Sequence, residues 1–386
     1  MSTEKLYYSD SHMSSFTARV TACGEYKDGW RVTLERTAFF PEGGGQAADT
    51  GYIGEARVRD VHEKDGEIWH YTDRALDIGS EYQCAVDWEQ RLRRMQNHSG
   101  EHIVSGLVHG LYGFENVGFH MGEDCVTIDF SGELSWEQLA EIETKANQAV
   151  RADLEIKTSF PDSAELAKLE YRSKLELREN VRIVEIEDID RCACCAPHVG
   201  HTGEIGSIKF LDSVRHRGGV RVSMVSGMDA LEHYRLMQKN ITAISNLLSA
   251  KRENAAQAVE RVLGEQQSLK ERIAALGMEL VREKAAAFEY TQGNICIFNN
   301  SLDDVALREL VNALAEKCGG MAAAFSGSDA DGYKYIIASR HSDLRGKAKE
   351  INAALCGRGG GSAEMLRGSA SATADLIQKF VESAHG

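Results

Sequence analysis

Two pairs of side chains that favour soft metal ions stand far apart in the chain, His98-Ser-Gly-Glu-His102 and Cys194-Cys-Ala-Pro-His198. Each pair is spaced i, i+4, which on a helix puts both side chains on one face. Three imidazoles and one thiolate form a tetrahedral donor set suited to Zn²⁺. Alone, the first pair reads equally well as two ordinary helix histidines; the cysteine pair shifts that balance. Spacing does not reject Cys195 with His198, and Cys192, Cys195 and His201 are reserve donors. Four protein donors also leave no open coordination position, which catalytic zinc usually keeps. The first pair fits H-x-x-E-H as well, a metalloprotease pattern with Glu101 as base. That reading needs a carboxylate ligand downstream and leaves Cys194 and His198 unexplained.

Further motifs accompany the pairs. His201-Thr-Gly-Glu-Ile-Gly206 follows the second. Thr37-Ala-Phe-Phe-Pro-Glu-Gly-Gly-Gly-Gln46 precedes the first, and Gly357-Arg-Gly-Gly-Gly361 lies near the end. In this order they resemble the editing domain of alanyl-tRNA synthetase and its free-standing relatives, the AlaX proteins, over nearly the whole length. The resemblance implies one Zn²⁺ held by His98, His102, Cys194 and His198, with Cys194 chosen by the family's CxxxH spacing. It implies hydrolysis of serine, and of glycine, wrongly esterified to tRNA(Ala). Thr37 and Gln46 are expected in the acyl pocket, where hydroxyl and amide would recognise the serine hydroxyl. A site built around that hydroxyl rejects its absence strongly, because its polar groups are otherwise unpaired. Gly44 and Gly45 would let backbone N–H groups approach the ligand. The chain begins with the editing-like part and has no room for a class II catalytic core, so editing in trans, in the long AlaX form, is expected. The family's glycine run usually continues with an RPD-like step. Here Ser362-Ala-Glu-Met-Leu-Arg367 follows, a departure that bears on the loop's role.

Two other readings compete. One is editing of another mischarged tRNA, as in the threonyl-tRNA synthetase editing domain, which shares both ligand pairs. The other is a tRNA-binding protein with a structural zinc and no turnover. His120 reads as a proton shuttle or as a structural histidine, and His201 is similar. No Ser-His-Asp order suggests covalent catalysis.

Composition narrows the setting. With 386 residues the chain exceeds one domain's usual size. No apolar run approaches the ~20 residues of a membrane span, and the N-terminus has no apolar signal core. Nine cysteines, an odd number with three crowded at Cys192, Cys194 and Cys195, read as reduced thiols near a metal. A cytoplasmic setting is expected. The net charge of −15 argues against nonspecific coating of nucleic acid. Arg91, Arg93 and Arg94, and Arg215 with Arg217 and Arg221, are the candidate tRNA-facing patches; from the residues alone each reads first as a solvated, ion-paired face.

These side chains need scaffolds, and the pattern predicts an α+β protein in four parts. Residues 1–87 read as short strands with hairpin dipeptides Asp28-Gly29 and Asp65-Gly66, a β-barrel-like subdomain. Residues 88–228 read as an α+β zinc editing core. It opens with a helix from Asp87 or Trp88 to about Gly113, and Ser135-Trp-Glu-Gln138 is a capping box. Residues 229–290 form a helical, coiled-coil-like linker. Ile241, Ile244, Leu248, Ala255, Val262, Leu269, Ile273, Leu276 and Leu280 fit a gapped heptad seam, which would space domains or pair two chains as a homodimer. Residues 291–386 read as a small α/β domain like the last domain of alanyl-tRNA synthetase, with residues 357–361 as a loop.

Overall fold

The computed structural model describes residues 2–122, 124–173 and 181–384. It divides into two compact units, residues 1–240 and 241–386. Each mixes helices and sheets.

The first unit begins with a closed six-stranded barrel. Its strands are β1 (Ser15–Tyr26), β2 (Gly29–Leu34), β3 (Gly51–Ile53), β4 (Ala56–Lys64), β5 (Glu67–Thr72) and β6 (Glu81–Val86), in the order β1-β2-β5-β4-β3-β6. Alternation along β2, β4 and β5 sends Val32, Leu34, Val58, Val61 and Ile68 inward, where they meet Phe39 and Phe40. Asp65 and Gly66 both take positive φ, the two-residue turn that dipeptide favours. The β1–β2 turn instead uses Lys27 and Asp28, with φ +53° at Lys27, one residue earlier than the Asp28-Gly29 expectation.

Helix α1 (Trp88–Tyr112) follows, ended by Gly113 in the left-handed conformation. It packs on a sheet ordered β12-β13-β8-β7, from β7 (Asn116–Met121), β8 (Val126–Phe130), β12 (Ile208–His216) and β13 (Gly219–Ser226). Helix α2 (Trp136–Ala152) starts at Ser135, whose side chain caps Gln138 N–H while Gln138 returns the bond. A second sheet, β9 (Ile156–Ser159), β10 (Ile183–Ile186) and β11 (Asp190–Ala193), carries the chain into the cysteine cluster. Two apolar cores, one in the barrel and one between α1, α2 and the sheets, share Cys194 at their margin.

Helix α3 (Gly227–Leu247) runs across the boundary between units. The helical texture is interrupted at residues 248–254, where Ser249 takes positive φ, before α4 (Ala255–Ala286). In the second unit one sheet has the order β14-β15-β16-β18-β17: Ile295–Phe298, Met321–Ser328, Gly332–Ser339, Met365–Ala370 and, at the edge, Arg358–Gly361. Among the described strands β14 and β15 pair in parallel and the rest antiparallel, which makes a mixed sheet. Helices α5 (Asp304–Ala315), α6 (Leu344–Ala354) and α7 (Ala374–Ser383) cover it. The glycine run is strand β17, not a loop. A Cβ at Gly357 or Gly361 would meet the β18 backbone, and one at Gly359 the Tyr335 hydroxyl.

Candidate active site

One face of α1 carries His98 and His102 one turn apart. The segment after β11 brings Cys194 and His198 against them. One donor atom from each of the four residues lies within 4.8 Å of the others. Cys194 Sγ is 3.5 Å from His98 Nε2 and 3.4 Å from His198 Nε2. A tetrahedral ion about 2.3 Å from sulfur and about 2.0–2.1 Å from nitrogen would separate two such donors by about 3.5 Å. The donors therefore fit zinc in kind and spacing. Cys195, adjacent in sequence, is exposed and lies outside this group.

The imidazoles are held from behind. His98 Nδ1 donates to Gln46 Oε1 at 2.9 Å, and His102 Nδ1 to Asp190 Oδ2 at 2.9 Å. His198 Nδ1 pairs with the Ser99 hydroxyl at 3.0 Å. Each outer nitrogen is thus occupied, so Nε2 faces the shared centre, the arrangement expected behind metal-binding histidines. Arg172 grips Asp190 with two nitrogens, at 2.7 and 2.9 Å.

Electrostatics follow this packing. Burial pushes the Cys194 thiol up, but the His98 charge and hydrogen bonds from all three imidazoles outweigh it and hold it well below its usual range. Burial disfavours the His102 cation, yet its bond to Asp190 raises it well above its usual value. His198 is driven down to about 3, by burial first and then the His102 charge. Such displaced values, clustered on four side chains that face one centre, mark a functional site.

The cluster opens into a cavity of about 820 Å³. Gly44 and Gly45 form part of its wall. Gly43 and Gln46 exchange both backbone hydrogen bonds at 3.0 Å, closing a turn whose central residues have φ +62° and +83°. Only glycine takes both positions without strain. Glu101 also lines the cavity; one oxygen accepts from Ser105 and Asn116, and the other lies 4.0 Å from His102 Nε2.

Several expected residues stand elsewhere. Thr37 is fully buried in the barrel and is not part of the cavity wall. Its hydroxyl bonds His70 Nε2 at 2.9 Å and accepts the Phe39 N–H at 3.1 Å, so its hydrogen-bonding capacity is spent inside the fold. Gln46 sits behind His98 with Nε2 buried and unpartnered. His120 is exposed on β7, and His201 caps the turn at Thr202–Ile205; neither lines the cavity. The first arginine patch is engaged within the fold, whereas in the second Arg215 and Arg217 remain exposed. Arg91 is buried against Asp49, Arg93 binds Asp229 and Glu232, and Arg94 donates to the Ala48 carbonyl. Arg221 binds Asp129, and Arg215 lies 3.3 Å from Glu133. The fourth donor of the cluster is a thiolate, which the metalloprotease pattern does not supply. Sequence reading missed Asp190, Arg172, Ser99 and Arg182. Asp190 precedes Cys192 by two residues, a signal only in hindsight, since an aspartate before a strand is ordinary.

Comparison with known proteins places this arrangement. The family model for the threonyl and alanyl tRNA synthetase second additional domain matches residues 181–224, from β10 through the second ligand pair to β13. The alanyl-tRNA editing protein AlaX-L of Pyrococcus horikoshii is 27% identical over 97% of this chain and 96% of its own length. The alanyl-tRNA editing protein Aarsd1 of Rattus norvegicus is 30% identical over 66% of each chain. The alanine–tRNA ligase of Methanopyrus kandleri is 32% identical over 81% of this chain but only 36% of the ligase. With similarity running end to end to a free-standing editing protein, the chain belongs to the AlaX-type family of alanyl-tRNA editing proteins.

Proposed function

We propose that the protein is a zinc-dependent aminoacyl-tRNA hydrolase that acts in trans on tRNA(Ala) mischarged with serine or glycine. The observation that carries this reading is the cluster of His98, His102, Cys194 and His198, oriented from behind and open to a cavity large enough for a ligand bigger than an amino acid. Zinc held there supplies positive charge for the ester carbonyl or for the 3′ end of the tRNA. Gln46 orients His98 from behind. Gly44 and Gly45 let the turn come close to the ester. Glu101, fixed by Ser105 and Asn116, is the acceptor in the cavity wall for a proton of the hydrolytic water. Thr37 supports this loop from inside the barrel.

The parts divide the work accordingly. Residues 1–87 supply the glycine turn and residues 88–228 the donors. Residues 229–290 and 291–386 serve tRNA binding and pairing of two chains. A second reading is editing of a threonyl-type mischarged tRNA, favoured by a matching family model that covers both synthetases. A structural zinc in a tRNA-binding protein is a third, favoured by four protein donors.

The test compares deacylation of Ser-tRNA(Ala), Gly-tRNA(Ala) and Ala-tRNA(Ala), with and without a zinc chelator. Rapid loss of serine, sparing of alanine and collapse on chelation are expected. Zinc retained with no hydrolysis of any of the three would select the tRNA-binding reading.

A further inference from the structure

The cavity wall also holds Tyr8, Phe160 and Arg182. Their arrangement is unusual in two independent ways. Phe160 is 53% exposed, a large apolar ring left on the wall of a polar cleft. Tyr8 meets it edge to face at 5.3 Å, which leaves ring surface free for a planar partner. Arg182 is the reverse case, a cation only 6% exposed. One of its terminal nitrogens donates to the carbonyls of Cys194 (3.1 Å) and Ala196 (2.8 Å), while its buried Nε has no partner.

Among the described residues no carboxylate pairs with Arg182. The other buried arginine of the described residues, Arg91, has Asp49, and the partly buried Arg172 has Asp190. Burying a guanidinium without a counter-ion is unfavourable. The anion closest in effect is the Cys194 thiolate, already shared by three imidazoles. The guanidinium also lies 5.4 Å above the Tyr8 ring, and Lys5, paired with Glu63, lies 5.5 Å from the same ring. An open aromatic face beside an uncompensated cation is the pair of features that binds a nucleotide, base on ring and phosphate on guanidinium.

We propose that Tyr8, Phe160 and Arg182 form the subsite for the 3′-terminal nucleotide of the RNA substrate, with the terminal base stacked on Phe160 and its 5′-phosphate held by Arg182. This rests on the hydrolase reading above and names where that substrate's last nucleotide sits. The ester at the ribose is thereby directed toward the cluster, and the remaining volume accommodates the acyl group. Arg182 is a positioning residue as well, because it also holds the carbonyl of the ligand Cys194.

The test uses the full-length zinc-loaded protein and two non-hydrolysable probes, 3′-serinylamino-adenosine with and without a 5′-phosphate. Wild type is expected to bind the phosphorylated probe about tenfold more tightly. Phe160→Ala should weaken both probes about tenfold, Phe160→Tyr should restore them, and zinc content should stay unchanged. Arg182→Gln should abolish the preference for phosphate. Should it fail to fold, salt titration of the wild-type preference gives the same reading, because a phosphate–guanidinium contact weakens with salt. Equal binding by Phe160→Ala and wild type, or a wild type indifferent to the phosphate, overturns the subsite. If wild type still hydrolyses Ser-tRNA(Ala) in that event, the subsite alone fails. If it neither binds a probe nor hydrolyses the tRNA, the hydrolase reading fails with it.

Discussion

At the scale of single residues, the site depends on which nitrogen of each histidine carries the proton. Gln46 Oε1 can only accept, so His98 must carry its proton on Nδ1 and present Nε2 to the cluster. Gln46→Leu should therefore lower zinc affinity, by the ~10–100-fold typical when such a supporting group is lost. Zinc competition with a chromogenic chelator measures it, and unchanged affinity would remove Gln46 from this role. Thr37 shows the opposite outcome. Its motif suggested substrate contact, yet its hydroxyl is committed to His70 and Phe39. His70 is buried and neutral, driven to about 4 by desolvation. In the unfolded chain the same imidazole takes a proton near pH 6.5. Between these values the unfolded state binds more protons. His70 therefore stabilises the fold fully above about pH 6.5, and that contribution shrinks as pH falls toward 4, by up to the order of 3 kcal/mol. Urea unfolding at pH 7 and pH 5 should show a larger loss for wild type than for His70→Gln. Equal losses would mean that His70 is not the titrating group.

At the scale of elements, α1 must approach the Asp190 strand closely for His102 to reach its carboxylate. Gly106 makes that possible, since a Cβ there would collide with the Ile189 carbonyl and the Asp190 side chain. Gly106→Ala should improve helix propensity by about 1 kcal/mol yet destabilise the unit and lower zinc retention. A rise in melting temperature with full zinc content would contradict this. The linker invites a second prediction. Val259, Val262, Leu269, Ile273, Leu276 and Leu280 fall at alternating steps of three and four along α4, with Gln266 in the gap. Leu269 and Ile273 are 63% and 65% exposed. From Val259 to Leu276 the stripe is exposed while Leu280 packs on the second unit's core, and an open heptad stripe of that length on a 32-residue helix suits pairing with a second copy. Leu269→Glu with Ile273→Glu should shift sedimentation from dimer to monomer. A wild type already monomeric at micromolar concentration would sink the idea.

At the scale of the molecule, the boundary of the first unit falls at residue 240, beyond the 228 expected from the change in texture. The reason is Asp229, which binds Arg93 and Asn97 from the first turn of α3. A fragment of residues 1–240 should fold and retain zinc, while its affinity for tRNA(Ala), read by filter binding, should fall at least severalfold relative to the full chain. Equal affinity would show that the second unit does not take part in tRNA binding. With a net charge of −15 and the Arg91, Arg93 and Arg94 patch engaged within the fold, the RNA contact proposed for the first unit would rest on a few local cations, Arg182 and the exposed Arg215 and Arg217 among them, rather than on a broad basic field.

The sequence by itself determined whatever depends on local spacing. The ligand pairs, the capping box at Ser135, the Asp65-Gly66 turn, the helix through His98 and His102 and the strands flanking the cysteines are all set by residues within a few positions of one another. Apart from the Cys194 and His198 pair, which lies on irregular backbone, their geometry comes from the backbone's fixed periods. Even the choice among Cys192, Cys194 and Cys195 was open to spacing alone, and only the fold shows Cys194 Sγ facing the imidazoles. The tertiary structure alone decided which polar atoms remain unspent. Thr37 and Arg91 looked available, yet both are consumed by partners distant in sequence, His70 and Asp49. Arg182 looked like an ordinary strand residue and is buried with no carboxylate beside it among the described residues. Burial and partnering depend on contacts between elements, and no period in the sequence encodes which distant side chain arrives first.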